Sequence, residues 1–272
     1  MSETPGARET HGWLDRVRAT FKRQVVWPVG ERAVRTRAWD LGLAGYTVAA
    51  MELGPGGRTD ASPLTLRWID PDRTVYDALP ERPEWPPVGC VVGGDWDLIE
   101  DRFEKRHVPR AIRQRFVEGR EWTETPLPDH VHDQVDRFGD AWGYAEDAVS
   151  HRCGEVEALY RAMQAQGYLT QNELAARARE DAGPGPPPVP ALGEITVDIG
   201  RRGHLCWRGN GQHRLAIARV LGIDRVPVLI ARRHTVWQET RNRVRTDGFD
   251  AATEDTAGIE IPLRAHPDLR DL

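Results

Sequence analysis

The chain has 272 residues, a formal net charge of −5, and 29% charged against 39% hydrophobic residues. That length supports one or two globular domains. The balance excludes a chain too polar to build a core and a generally basic surface drawn to nucleic acid. The three cysteines, Cys90, Cys153 and Cys206, are too widely spaced for a Cys-x-x-Cys site or a disulfide framework, which fits a reducing cytoplasm.

Trp13, Val17 and Phe21 recur every four residues among Arg16, Arg18, Lys22 and Arg23, the pattern of an amphipathic basic helix that packs on its own domain or lies on an acidic surface. The longest mildly apolar stretch, Leu41 to Met51, is broken by glycines and falls well short of the ~20 residues of a membrane span. Residues 25–80 alternate short strand-like runs with turns, Leu64 to Ile69 being the clearest strand. Pro80 to Pro87 reads as a boundary, so residues 1–85 form a small β-rich lead-in and residues 86–245 the main domain.

In VGCVVGGDWDLIE, Val88 to Glu100, an apolar strand ends at Gly93-Gly94 and delivers Asp95, Trp96 and Asp97 at its mouth. Carboxylates placed there can act as a general base or, Asp97 above all, bind a metal. They can equally cap a turn while Trp96 fills the core. Pro109 opens a helix with Ile112 and Phe116 on one face, ending at Gly119. Its Arg110, Arg113 and Arg115 suit phosphate, but Glu118 and Glu121 interleave, which favours a solvated face over a DNA-binding one. His130-Val131-His132-Asp133 reads as a loop with weak metal character, to which His204 and Cys206 could add ligands. Arg152 to Gly167 forms a helix with Leu159, Ala162 and Met163 inward, and Ala182 to Pro188 is a stiff proline-rich loop.

The most organised stretch is Glu194 to Gln238. Ile195, Val197 and Ile199 alternate with Thr196 and Asp198 as a strand; Arg201-Arg202-Gly203 turns; His204 to Trp207 pairs back. Gly209-Asn210-Gly211 then leads into Gln212-His213-Arg214 and the helix Leu215 to Leu221, closed by Gly222, and Val226 to Ala231 is a third strand. Two glycines before a helix let backbone N–H groups surround an anion, and cations in the first turn make sense if an anion lies between them. The bland alternative is a simple turn with a solvated Arg214. Arg232, Arg233 and His234 follow the third strand and could reach the same anion, Trp237 anchors the last helix, and residues 246–272 form a weakly ordered acidic tail.

GNGQHRLAIARVLGIDRVPVLI, Gly209 to Ile230, resembles the second signature box of the ParB/sulfiredoxin-like superfamily, and VEALYRAMQAQGYLTQ, Val156 to Gln171, is similar to its first box. The resemblance implies an α+β fold, a small mixed sheet with helices. It also implies a nucleotide phosphate held at the second box, with Gly209, Asn210, Gly211, Gln212, His213 and Arg214 as the phosphate-binding set. The chain departs from the pattern at Asn210 and Gln171, and Cys206 lies on a strand rather than in the Gly-Gly-Cys-His-Arg arrangement that sulfiredoxins carry, so sulfiredoxin chemistry is not expected. No helix-turn-helix unit follows, so a whole partition protein is not expected either.

Two functions remain. One is a nucleotide-dependent phosphotransferase or NTPase, with a nucleoside di- or triphosphate and Mg²⁺ as cofactors, an unidentified small-molecule or protein acceptor, and Asp95, Asp97 and His213 as catalytic candidates. The other is a non-catalytic DNA- or protein-binding module that uses the nucleotide as a switch. A nuclease is weaker, because no cluster of paired carboxylates with a lysine is visible.

Overall fold

The computed structural model describes residues 59–62, 64–77, 88–141, 144, 146–182, 190–253 and 258–272. The basic helix around Trp13 to Phe21, the Pro80–Pro87 boundary and the proline-rich loop after Ala182 lie outside the described residues. The fold is mixed α+β, with six strands in one mixed sheet and six helices among the described residues.

The strands are β1 (Arg67–Ile69), β2 (Thr74–Asp77), β3 (Cys90–Val92), β4 (Ile195–Ile199), β5 (Leu205–Trp207) and β6 (Val226–His234). The helices are α1 (His107–Phe116), α2 (Leu127–Phe138), α3 (Ala148–Gln166), α4 (Gln171–Ala182), α5 (Gln212–Val220) and α6 (Thr235–Thr253). The sheet runs β1-β6-β4-β5-β2, with β3 also on β6. Central β6 takes β4 in parallel along one side. Along the other it takes β1, antiparallel at Val226–Val228, and β3, parallel at Arg232–His234. Strands β1 and β2 thus join the same sheet as β4 to β6, and the boundary expected at residue 85 does not divide the structure.

Alternation sorts the sheet's two faces. Ile195, Val197, Ile199, Val228 and Ile230 share one apolar cluster with Ala111 and Ile112 of α1 and Leu215 and Ile217 of α5. Asp198 and Thr196 take the other face, where Cys90, Cys206 and Leu229 are buried outside that cluster. A bulge between Val197 and Asp198 shifts the β4–β6 register, pairing Asp198 with Arg232 and Ile199 with Arg233.

Several local expectations change. His130 and His132 sit on helix α2, not in a loop, because Leu127, Val131 and Val135 repeat every four residues; Leu127 and Val131 are fully buried. Between the first box and the hairpin stands the additional helix α4, opened by a reciprocal cap. Thr170 Oγ1 accepts from Glu173 N at 3.1 Å, and Glu173 Oε2 accepts from Thr170 N at 2.7 Å. Met163 faces inward as expected, but Ala162 is exposed.

The acidic tail is also overturned as a loose end. Residues up to Thr253 extend α6 beyond a kink at Gly248, and Ile261, Leu263 and Leu269 are buried. Asp268, fully buried, accepts from Arg233 Nε and Trp237 Nε1, each at 2.9 Å. His266 Nε2 lies 2.8 Å from Gly203 O, tying this segment to the β4–β5 turn. No helix among the described residues is long and apolar enough to cross a membrane.

Candidate functional site

The loop after β5 is fixed from both strands of the hairpin. Trp207 Nε1 donates to Asn210 O at 2.8 Å, and Thr196 N donates to the same carbonyl at 3.4 Å. Gly211 has φ +71°, and a Cβ there would lie 2.6 Å from Ile195 Cγ1 and 2.8 Å from its Cα. Only glycine lets α5 begin this close to the start of β4. Asn210 Oδ1 accepts from Gly211 N at 3.0 Å, and residues 209–214 all keep some exposure, Asn210 the most.

Other elements bring cationic groups to this point. Arg152, in the first turns of α3, places Nη2 3.1 Å from His213 Nδ1 and 3.0 Å from Nε2. His130 of α2 stacks on His107 of α1 with centroids 5.3 Å apart and planes 3° apart. Arg106, just before α1, covers the Trp207 ring at 4.9 Å and pairs with Asp77 at 2.5 Å. Burial, then the positive charges of Arg152, His130 and Arg214, push the His213 pKa down to about 3, so the ring is neutral. His130 is lowered by burial, then by His107 and Arg106, with Asp133 opposing. Arg152, whose Nη1 also pairs with Glu155 at 2.7 Å, sets its positive charge against the His213 ring at the N-terminus of α5, where the helix dipole has the same sign.

Arg214 does not join these cationic groups. Its Nη1 donates to Glu194 Oε2 and Tyr168 Oη, both at 3.1 Å, and Nη2 donates to Gly193 O. The Glu194 side chain is fully buried, accepts from Tyr168 Oη at 2.8 Å and from Gln171 N at 2.6 Å, and so consumes the guanidinium as a structural partner. Burial raises the Tyr168 pKa, which keeps that hydroxyl a donor.

Asp95 and Asp97 are not brought to the loop. Arg201, in the turn between β4 and β5, holds both: Asp97 accepts from Arg201 N at 2.6 Å and Nε at 2.9 Å, and Asp95 accepts from Nη2 at 2.8 Å. That turn is the opposite end of the hairpin from Gly209–Gly211, the length of five-residue β4 away, about 15 Å. Burial opposes ionisation of Asp97, but the hydrogen bonds from Arg201 prevail and hold its pKa below the usual carboxylate value. Among the described residues no group of three or more His, Cys, Asp or Glu side chains is arranged to hold a metal. His204 turns its Nε2 to Asp97 O at 3.1 Å, and burial raises the Cys206 thiol pKa, so neither is set up as a ligand.

The cations after β6 go elsewhere too. Arg232 Nε donates to Asp198 at 2.9 Å, Arg233 to Asp268, and His234 Nε2 lies 2.9 Å from Gly94 O. On α1, Arg113 pairs with Glu118 and Arg115 with Glu157, which fits the solvated face.

The structure thus brings together Gly209, Asn210, Gly211, Gln212 and His213, removes Arg214, Asp95 and Asp97, and adds Arg106, His107, His130 and Arg152. His130 carried a signal, though for a metal. Arg152 carried none, since nothing near it in sequence marks a partner sixty residues on. No family model, no curated protein and no solved structure matches this chain.

Proposed function

We propose that this chain is a ParB-like binding module that holds the phosphate of a nucleotide at the Gly209–His213 loop and responds to occupancy as a switch, without transferring the phosphate. The observation that carries this reading is the charge around His213. Arg152 sets Nη2 3.0 Å from His213 Nε2 at the N-terminus of α5, directly after the Gly209–Gly211 backbone, and an anion there would meet both side chains. The order of strand, strand, glycine loop, helix and strand supports the ParB/sulfiredoxin-like comparison, and that comparison supplies the nucleotide.

The phosphotransferase or NTPase reading needs Mg²⁺ on Asp95 or Asp97, and both carboxylates are held by Arg201 at the far end of the hairpin. DNA is disfavoured by the net charge of −5 and by the paired arginines of α1. Three free, buried cysteines suit a cytoplasmic setting.

Titration calorimetry with ATP, ADP, CTP and GTP, each with and without Mg²⁺, tests the proposal. One nucleotide should bind without requiring Mg²⁺, and Arg152→Ala should weaken it by about 10- to 100-fold, the loss of one charged hydrogen-bond donor. No binding by any of the four overturns the reading. Turnover that disappears in Asp97→Asn would restore the phosphotransferase.

A further inference from the structure

Three segments distant in sequence meet around a cleft of about 140 Å³. The first gives Trp68 of β1 and Arg73 of the 3₁₀ turn Pro71–Arg73, the second gives Arg225 just before β6, and the third gives Arg270 after the 3₁₀ turn Pro267–Leu269. Buried Ile69, Leu205 and Ile261, members of the main apolar cluster, line the same cleft. Arg67 of β1 pairs with Asp271 at 2.6 Å, which holds the neighbouring Arg270 close to the strand.

The charges lining this cleft are not matched. Among the described residues three guanidiniums share it with one carboxylate, Asp70, which leaves two positive charges. Asp70 lies 4.0 Å from Arg73 and accepts from Asp72 N at 2.9 Å. The next acids are committed elsewhere, Asp271 to Arg67 and Arg241 and Asp72 to Arg219. Arg225 and Arg270 are exposed, and neither side chain makes a hydrogen bond or ion pair among the described residues, although Asp224 adjoins Arg225 in the chain. Trp68 is 43% exposed beside them.

Those features select a class of ligand. Two unmatched guanidiniums suit a dianion, and their planar donor forks suit the oxygens of a phosphate. A phosphate monoester, with its second pKa at about 6, is a dianion at neutral pH, whereas a carboxylate or a phosphodiester carries one charge. The volume is that of four or five waters at about 30 Å³ each, room for an oxyanion head group and not for a whole nucleotide. The group that carries the phosphate must therefore lie toward the opening, where the exposed indole of Trp68 gives a planar ring something to stack on.

We propose that this cleft binds an aryl phosphate, its dianionic head among Arg73, Arg225 and Arg270 and its ring against Trp68. A free aryl phosphate and a phosphotyrosyl side chain share that chemistry. Among the described residues the cleft shares no lining residue with the Gly209–His213 loop, so it is a second site that does not depend on nucleotide binding there.

The test is calorimetric titration of the full chain with phenyl phosphate at pH 7.5 and constant ionic strength, with methyl phenyl phosphate, inorganic phosphate and sulfate in parallel. Phenyl phosphate should bind at one equivalent, about tenfold or more tighter than the monoanionic methyl phenyl phosphate. Arg225→Gln and Arg270→Gln, at exposed positions, should each weaken it by about tenfold. Trp68→Ala should weaken phenyl phosphate by about tenfold and leave inorganic phosphate unchanged. If Trp68→Ala does not fold, the intact chain decides, and equal affinity for phenyl and inorganic phosphate overturns the proposal. Arg152→Ala should leave the binding of phenyl phosphate as it was. A loss there with Arg225→Gln silent would put the phosphate at the glycine loop and overturn this site. So would equal binding of the diester and the monoester, sulfate binding as tightly as phenyl phosphate, or no saturable binding. A phosphotyrosine peptide that binds about tenfold more tightly than phenyl phosphate identifies a protein as the source of the group, and equal binding identifies a free aryl phosphate.

Discussion

The two ends of the β4–β5 hairpin use the same residue types to opposite effect. At the Arg201–Gly203 turn the charges are matched: Asp95 and Asp97 take Arg201, and the C-terminal segment docked on Gly203 supplies Asp268 to Arg233 and Arg241. At the Gly209–Gly211 loop, Arg152 faces His213 while its Nη1 pairs with Glu155 at 2.7 Å, and His130 stacks on His107. A matched cluster holds elements together and leaves little to offer a ligand. A partly exposed cluster beside a glycine loop keeps donors that an anion can still reach.

The comparison breaks most sharply at Asp268. Asp268→Ala strands Arg233 without its buried carboxylate and Trp237 Nε1 without its acceptor, and should cost about 3–5 kcal/mol in urea unfolding. A loss below 1 kcal/mol would mean that the matched end does not clamp the fold. At the loop end, Gly211→Ala forces a left-handed backbone and a Cβ against Ile195, for about 2–4 kcal/mol. Gly222→Ala, also at positive φ but with open space around the new methyl, should cost about 1 kcal/mol. Equal costs at the two glycines would show that α5 is not seated as tightly on β4 as the geometry requires.

Asp97→Asn sharpens the separation of the two ends. Weakening its bonds to Arg201 should lower stability by about 1–3 kcal/mol while changing nucleotide affinity less than about twofold. The smallest effect is in pH. His266 is lowered to about 4, mainly by burial, and His213 to about 3, so both stay neutral in the fold while the unfolded chain binds protons below about 6.5. Stability is therefore full above that pH and falls as the pH drops, by about 1 kcal/mol for the pair between pH 7 and 6. A bound phosphate raises the His213 pKa, so saturating nucleotide should remove that residue's share and leave the share of His266. The depressed carboxylates, Asp60 at about 2 and Asp97, Asp268 and Asp271 also lowered, act in a second stage. Their contribution is present above about pH 4 and is lost as the pH falls toward their folded values.

What could be read from the sequence was local. The alternation of Ile195, Val197 and Ile199 and the three-residue spacing of Leu215, Ala218 and Leu221 set β4 and α5 directly. The capping box Thr170-Gln171-Asn172-Glu173 was equally visible, though the likeness to the first box drew the helix to a close before it. What escaped was pairing at a distance. Val226 to Ala231 read as an apolar strand, but β6 runs on to His234 because Asp198, Asp268 and Gly94 O receive its polar end. Cations in the first turn of α5 implied a neighbouring anion, and beside Arg214 there is one, but it is the chain's own Glu194.

The position of β6 has a consequence for how the molecule comes to be. Its neighbours Arg67–Ile69, Cys90–Val92 and Ile195–Ile199 are all made before it, and none of the three pairs with another of the three. The closing of these long loops must precede the contacts that reward it, which makes for slow assembly. On the ribosome the earlier strands wait with unpaired edges until Val226–His234 emerges, and a chain stopped before Val226 would have the β2, β5 and β4 strands but no β6 to join β1 and β3 to them.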